Sequence, residues 1–246
     1  MSPAKADGGQ AARGFSVSLR WLQSAHRLSV VQVEQLSTLG SMLVTDDLAP
    51  TTVRDPRGVR DDHLADALAA LALPALANPG VIADLGSGAG VPGLPLAVAL
   101  PSCTVFLVEG NGRKCEFIAR AAAAMGLRNV EVVHGRAETW RAGLERCDVV
   151  TARALAPLPV VAEYAAPLLQ VGGSLVAWRG RRDLDEEARA ERAAGVLGLS
   201  PLEPVRVRPY EGAENRHLHV MVKQRTTPPR FPRRDGVARK RPLGES

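Results

Sequence analysis

The stretch Val-Ile-Ala-Asp-Leu-Gly-Ser-Gly-Ala-Gly-Val-Pro-Gly, residues 81–93, decides the fold of this 246-residue chain. Four of its first five residues are apolar, which is typical of a strand buried on both faces of a parallel sheet. The glycines that follow let the backbone turn sharply and lie against a ligand. A helix is predicted to begin near Leu94, with its N-terminal N–H groups directed at the same place.

A glycine-rich turn of this kind is compatible with NAD, FAD, another nucleotide or S-adenosylmethionine (SAM), and also with a structural turn that binds nothing. The alternating glycines 86, 88 and 90 differ from the dinucleotide pattern G-x-G-x-x-G. Asp84 supplies an anion for a ligand with a sulfonium and an amino group. Glu109, at the end of the next predicted strand, has a carboxylate suited to accept both ribose hydroxyls. Together these features favour SAM, with Asp84, Gly86, Gly88, Gly90 and Glu109 as predicted cofactor-binding residues.

The composition is that of a chain with an aliphatic core, since 46% of the residues are hydrophobic and only 4% are aromatic. No apolar run is long enough to span a membrane, and the first residues lack the apolar segment of a secretory signal. The three cysteines, 103, 115 and 147, have no metal-ligand spacing and are expected to be inert thiols of a reducing cytosol. We therefore expect a cytoplasmic monomer with no membrane partner and no metal.

The positive charge is concentrated at the end of the chain. The net charge is +5, and residues 223–246 alone carry eight Lys or Arg against two acidic residues. Such a basic segment indicates a polyanionic partner, or else a solubilising tail. Its prolines exclude a continuous helix, so the segment is predicted to be an extended arm along nucleic-acid phosphates.

Four regions are predicted along the chain. Residues 1–14 are expected to be disordered, and 15–78 to form a helical N-terminal extension. Residues 79–224 are expected to form a SAM-binding methyltransferase domain, followed by the basic Pro/Arg-rich tail 225–246. Within the extension, His63 and Asp66 stand one turn apart on a predicted helix and either hydrogen bond locally or belong to the site.

After Pro79 the pattern alternates between strands and helices, which predicts a parallel sheet covered by helices on both faces. Two final strands, near 204–208 and 217–223, are expected to form an antiparallel hairpin. The predicted fold class is therefore α/β, a Rossmann-like sheet of the class I SAM-dependent methyltransferases. Because ligands bind where parallel strands end, Gly86, Glu109, Glu138 and Arg153 are expected to converge at one edge of the sheet.

Several runs resemble the RsmG (GidB) methyltransferases: GSGAGVPGLPLA at 86–97, VEVVHGRAE at 130–138, DVVTARALAPL at 148–158 and PRFPRRDGVARKRPL at 229–243. RDP at 54–56 and His63-x-x-Asp66 resemble the segment before the sheet in that family. The likeness covers about residues 50–243. It implies SAM-dependent methylation of N7 of one guanine in the decoding-region loop of 16S rRNA, with 16S rRNA or the small ribosomal subunit as the partner.

The resemblance also implies roles for particular residues. Gly86 and Val91 line the SAM pocket, Ala137 and Glu138 lie against the adenine, and Glu109 binds the ribose. Arg153 lies at the mouth, where it is expected to touch the cofactor and to act as the catalytic residue through guanine O6 or a phosphate. Its alternative is a structural ion pair at the end of the strand. No general base is expected, because guanine N7 has a free lone pair.

Two segments depart from the family's pattern. The fifth strand ends in Trp178-Arg179-Gly180 where the family usually has Lys-Gly, and residues 15–50 differ from the family's stretch before RDP. The function classes left open are a methyltransferase acting on another RNA, a protein or a small molecule, an NAD-type dehydrogenase, and an RNA-binding protein without activity.

Overall fold

A computed structural model of the chain describes residues 19–245. The expected disorder of residues 1–14 and the expected start of a helix at Phe15 lie outside the described residues. The described part begins with two helices, α1 (Arg20–His26) and α2 (Val30–Thr45). The side chains of Ser29 and Gln32 cap α2 reciprocally. Gln32 also donates to the carbonyl of Val98 at 2.7 Å, which fastens α2 to the main domain.

The sequence predicts a helix from about Pro56 to Leu71, and this helix is present as α3, residues 56–72, but its pitch changes along its length. An α-helical turn at Pro56–Gly58 opens into a wider π-helical stretch at Val59–Ala65. Asp66–Leu68 returns to α-helical geometry, and Ala69–Ala72 ends the helix as a tighter 3₁₀ turn. π-Helical stretches are uncommon and occur frequently at functional sites.

Eight strands form a single sheet in the described part of the chain. They are β1 (Val81–Leu85), β2 (Thr104–Glu109), β3 (Val130–His134), β4 (Cys147–Arg153), β5 (Leu169–Arg179), β6 (Leu199–Pro201), β7 (Val205–Val207) and β8 (Arg216–Lys223). The helices between them are α4 (Gly93–Ala99), α5 (Gly112–Ala124), α6 (Leu158–Ala165) and α7 (Leu184–Leu197), and the tail contributes α8 (Val237–Lys240).

The strand order is β3-β2-β1-β4-β5-β8-β6, with β7 also paired to β8. Strands β1 to β5 pair in parallel, and β8 runs antiparallel between β5 and β6. The predicted α/β sheet with a final antiparallel hairpin is therefore confirmed, since β7 pairs antiparallel with β8. The ends of β1 to β4 lie side by side at one edge, as the order of parallel strands requires.

The structure differs from the predicted elements in three places. The sequence predicts a turn at Gly172-Gly173 and a strand over 174–178, but β5 begins at Leu169 and Gly173 continues the strand. A Cβ at Gly173 would lie 2.9 Å from the carbonyl oxygens of residues 147 and 148, so only glycine fits this approach to β4. Strand β6 was not predicted. The tail packs on the domain instead of extending away from it, with Phe231 and Ala238 buried in the core beneath α6 and α7.

Two apolar layers flank the sheet, because successive residues of each buried strand face opposite sides. Ile82 belongs to the layer shared with α1 to α5, and Ala83 to the layer shared with α6, α7 and the tail. The N-terminal helices thus cover one face and the C-terminal segment covers the other.

The carboxylate of Asp84 is fully buried at the end of β1 and links three elements. It accepts hydrogen bonds from the backbone N–H of Gly93 at 3.1 Å and from the hydroxyl of Thr151 at 2.9 Å. These contacts join β1 to the first turn of α4 and to the neighbouring strand β4. Burial raises the pKa of Asp84 to about 6, although both hydrogen bonds favour the charged form.

The raised pKa of Asp84 predicts a specific pH dependence of stability. Because the folded state binds this proton more tightly than the unfolded state, protonation stabilises the fold as the pH falls from 7 to 4. Asp84→Asn removes the titration, so the unfolding free energy of the wild type should gain about 2 kcal/mol relative to the variant over this range. Urea unfolding at each pH measures the difference, and parallel pH profiles for the two proteins would contradict this account of the carboxylate.

Candidate active site

A cavity of about 680 Å³ opens at the edge of the sheet where β1 to β4 end. The four loops that follow these strands form most of its wall, and α6 and the tail complete it. The lining residues are Leu85, Gly86, Val108, Glu109, Gly110, Asn111, Lys114, Gly135, Arg136, Ala137, Glu138, Ala154, Leu155, Tyr164 and Arg239. Convergence of four separate loops is the arrangement that the alternation of strands and helices predicts.

Glu109 is the last residue of β2 and presents a buried carboxylate to the cavity. One oxygen accepts from the backbone N–H of Gly88 at 3.0 Å, and the other from the N–H of Asn111 at 2.9 Å. Two backbone donors therefore fix the orientation of the carboxylate. Each oxygen keeps a further lone pair with which to accept a hydroxyl of a bound ligand.

The turn after β1 can lie close to Leu155 because Gly86 has no side chain. Its φ is +65°, and an added Cβ would lie 2.5 Å from Cδ1 of Leu155 across the cavity wall. Gly90 also has a positive φ, but its Cβ would meet Leu94 of α4 instead. Gly86 therefore shapes the cavity, whereas Gly90 shapes the packing of the turn against the helix.

The tail forms the outer wall on the β3 side of the cavity. Glu138 accepts from the backbone N–H of Gly236 at 3.3 Å, and Arg136 forms an ion pair with Asp235 at 2.6 Å. Arg239 donates to the carbonyl of Leu155 at 2.9 Å. The tail thus touches the loops that follow both β3 and β4.

Tyr164, on α6, connects the tail to the carboxylate of Glu138. Burial raises the pKa of the Tyr164 phenol, the charge of Glu138 raises this pKa further, and Arg239 lowers it. A second buried contact holds the tail, because Arg233 donates from two nitrogens to the carboxylate of Glu163. Glu163 is 1% exposed, so its buried carboxylate depends on the arginine, although 23% of the Arg233 side chain remains exposed.

The structure brings together some of the residues predicted from the sequence and separates others. Gly86, Glu109, Ala137 and Glu138 line the cavity, and Gly88 reaches it through its hydrogen bond to Glu109. Five predicted cofactor-binding residues are not among the lining residues: Asp84, Gly88, Gly90, Val91 and Arg153. Asp84 and Val91 are buried beneath the glycine turn.

Arg153 ends β4, immediately before Ala154 and Leu155 of the cavity wall. Its guanidinium turns towards α3, where it forms an ion pair with Asp66 at 3.3 Å and contacts Nδ1 of His63 at 3.0 Å. About 19% of its side chain remains exposed. For His63 and Asp66 the sequence left open a local hydrogen bond or a place in the site, and the structure places both side chains against Arg153.

Sequence reasoning missed Lys114, Leu155, Tyr164 and Arg239 as lining residues. Leu155 and Tyr164 are apolar or aromatic and were indistinguishable from core residues in the pattern. The tail did carry a signal, because Phe231 and Ala238 interrupt its polar sequence and are the residues that it buries.

The residues of the cavity fit the groups of SAM. Glu109 offers fixed acceptor oxygens for a ribose diol, and Glu138 offers an acceptor for an adenine amino group. Ala137 and Leu155 give apolar surface for the adenine ring, and the missing side chain at Gly86 leaves space beside it. Among residues 19–245, no group of three or more His, Cys, Asp or Glu side chains is placed to hold a metal ion. None of the helices in this range has the length and apolar character needed to cross a membrane.

The chain matches the family described as GidB, rRNA small subunit methyltransferase G, over residues 35–218. It is 44% identical over 198 residues to the ribosomal RNA small subunit methyltransferase G of Chloroflexus aggregans, covering 78% of this chain and 82% of that protein. It is 36% identical over 241 residues to the protein of the same name from Synechococcus elongatus, covering 94% and 99%.

Solved structures show the same fold at low sequence identity. Aeropyrum pernix fibrillarin, in complex with natively bound SAM, matches with a TM-score of 0.52 and 19% identity over 64% of this chain and 73% of its own. A putative SAM-dependent methyltransferase from Methanococcus maripaludis matches with a TM-score of 0.55 and 12% identity, covering 69% and 90%.

The glycine turn predicts a selective loss of cofactor affinity. In Gly86→Ala the new methyl group pushes Leu155 into the cavity, so SAM affinity should fall about tenfold or more, or about 1.4 kcal/mol. Isothermal titration calorimetry measures this change. Gly126→Ala is the matched control, because Gly126 has a φ of +67° with nothing within 4 Å of an added Cβ. This control should lose about 1 kcal/mol of stability and no SAM affinity. Equal losses of affinity in the two variants would contradict the role of Gly86 in shaping the cavity.

The tail wall predicts that SAM affinity depends on residues far from the glycine turn. Arg239→Ala removes the hydrogen bond to Leu155. The loss of one hydrogen bond, about 1 kcal/mol, should weaken SAM binding about fivefold. Lys240→Ala alters the next residue of the same short helix, outside the cavity lining, and should leave SAM affinity unchanged. Unchanged affinity in Arg239→Ala would show that the tail does not contribute to the cofactor site.

Proposed function

The chain belongs to the rRNA small subunit methyltransferase G (GidB) family, and from this we propose that it methylates N7 of one guanine in the decoding-region loop of 16S rRNA. The chain is a SAM-dependent rRNA methyltransferase, as its family and fold establish. The methylated ring nitrogen, the guanine that carries it and the loop of 16S rRNA are proposed. A ribosomal substrate places the proposed reaction in the cytoplasm, and the protein is proposed to act as a monomer.

The observation that carries the choice of N7 is the state of His63, the imidazole beside Arg153. Its Nδ1 faces the guanidinium, which can only donate, so this lone pair is already occupied. Burial, followed by the charge of Arg153, lowers the pKa of His63 to about 4. Such a histidine is a poor general base. N7 needs none, because its lone pair is free in the neutral base.

The cofactor side of the reaction depends on alignment. Bound SAM supplies an electrophilic methyl group on its sulfonium. Glu109, held by two backbone N–H groups, fixes the ribose end, and Glu138 with the tail fixes the adenine end. Holding two reactants in line can account for much of the lowering of the barrier. The chain's own contribution is therefore a rigid cavity, and Arg153 is proposed to donate to the acceptor base at its open edge.

The tail is proposed to serve both the cofactor and the rRNA. Lys223 is buried and donates to the carbonyls of residues 166 and 169, and Arg233 is paired with Glu163. Lys223 ends β8 before the tail begins, whereas Arg233 holds the tail against Glu163 of α6. Arg234, Lys240 and Arg241 are exposed and are proposed to contact rRNA phosphates. A deletion of residues 225–246 would remove the cavity wall together with the phosphate contacts, so single substitutions are needed to separate them.

The modified position can be mapped chemically. 16S rRNA is taken from cells with the gene, without it, and with the Gly86→Asp variant, and is treated with borohydride and aniline, which cleave the strand at N7-methylguanine. One cleavage in the decoding-region loop should be present with the wild-type gene and absent in the other two samples.

An unchanged cleavage pattern would reject the proposed base and leave the fold and family intact. Incorporation of labelled methyl from SAM into 16S rRNA without a new cleavage would identify a different acceptor atom. Incorporation into another RNA only would replace the substrate.

A further inference from the structure

Arg153 is held by one turn of α3. Its Nη1 donates to the backbone carbonyl of Asp62 at 2.5 Å and to the carboxylate of Asp66 at 3.3 Å, and its Nη2 donates to His63 at 3.0 Å. All three acceptors come from residues 62–66, at the change from π-helical to α-helical geometry. The widened turn therefore presents a backbone oxygen, an imidazole and a carboxylate to one guanidinium.

These contacts determine the tautomer of His63. Arginine remains protonated and offers only donors, so Nδ1 of His63 must accept and the ring proton must be on Nε2. Nε2 lies 2.8 Å from the hydroxyl oxygen of Thr51 and donates to it. That oxygen also accepts from the backbone N–H of Val53 at 3.1 Å. Thr51 thus orients His63, and His63 orients Arg153.

The same turn of α3 is fixed from the other side by strands β5 and β8. The indole N–H of Trp178 donates to the backbone carbonyl of Asp66 at 2.8 Å. Arg216 donates to Asp62 at 2.9 Å, and the hydroxyl of Tyr210 donates to the same carboxylate oxygen. Trp178, Tyr210 and Arg216 therefore hold in place the turn of α3 that contacts Arg153.

The charges of this cluster balance. Arg153 and Arg216 carry two positive charges, and Asp62 and Asp66 carry two negative charges. His63 contributes none while it is neutral. A base that becomes cationic as it is methylated would meet a cluster without net charge, although it lies beside an arginine. Protonation of His63 would make the cluster positive and would also break its contact with Arg153.

We infer that His63, oriented by Thr51, is a positioning residue that holds the Arg153 guanidinium against the acceptor guanine during methyl transfer. The inference rests on the proposed function. In this arrangement Arg153 donates to O6, the acceptor next to N7 on the same edge of the base, and leaves the N7 lone pair free for the methyl group. Asp66 holds the other side of the guanidinium.

The test is a double-mutant cycle on His63 and Arg153. His63→Leu keeps a similar volume and removes the acceptor, so kcat should fall at least tenfold with SAM affinity unchanged. His63→Asn places a carbonyl oxygen near the position of Nδ1 and should restore most of the rate. In Arg153→Ala, the further change His63→Leu should have little additional effect, because the residue it positions is gone.

The assay uses 16S rRNA or small subunits from cells without the gene, labelled SAM and single turnovers. Calorimetry gives SAM affinity, and thermal unfolding shows whether each variant folds. His26→Leu, in α1 and outside the cavity lining, is the matched histidine control and should retain the wild-type rate.

Multiplicative losses in the double variant, or failure of His63→Asn to exceed His63→Leu, would overturn the inference and leave the proposed function intact. If His63→Leu does not fold, His63→Asn alone decides: a tenfold loss in this variant would overturn the inference. Absence of methyl transfer by the wild type would instead reject the proposed function.

Discussion

The buried carboxylate of Asp84 is the contact on which the active edge of the sheet depends. It joins the end of β1 to the N–H of Gly93 and to Thr151 of β4, and so fixes the start of the glycine turn relative to two neighbouring elements. A Cβ at Gly93 would lie 2.9 Å from this carboxylate and 2.0 Å from Leu107. The close approach of strand and helix therefore requires both a short acidic side chain and a glycine. Leu85 and Gly86, the two residues after Asp84, line the cavity.

The sheet supplies the floor of the active site, and the two ends of the described chain supply its sides. The tail closes one side of the cavity through Glu138 and Leu155, and α3 holds Arg153 at the end of β4, where the acceptor base is proposed to bind. Neither segment belongs to the alternating strands and helices that define the fold. This division explains how a fold shared with proteins of 12–19% identity carries a site that depends on segments outside the shared sheet.

The sequence predicted those features of the fold and the site that depend on the backbone alone. Strand order and the convergence of Gly86, Glu109 and Glu138 follow from the alternating pattern and the glycine turn. The direction of single side chains did not follow, because a strand buried on both faces has no polar face to orient it. Asp84 therefore points into the core, away from the cavity, and Arg153 points towards α3. The docking of the tail was missed because proline and arginine indicate an extended polar segment, whereas Phe231 and its neighbours bury apolar surface.

The contacts that finish the site join residues far apart in sequence. Arg153 and Asp62 are separated by 91 residues, and Arg136 and Asp235 by 99. Contacts between residues so far apart in sequence form late in folding, because closing such a long loop has a large entropic cost. The central sheet can therefore reach its native pairing before either side of the site exists. Folding intermediates of this protein should resemble the finished enzyme in secondary structure while lacking both cofactor affinity and activity.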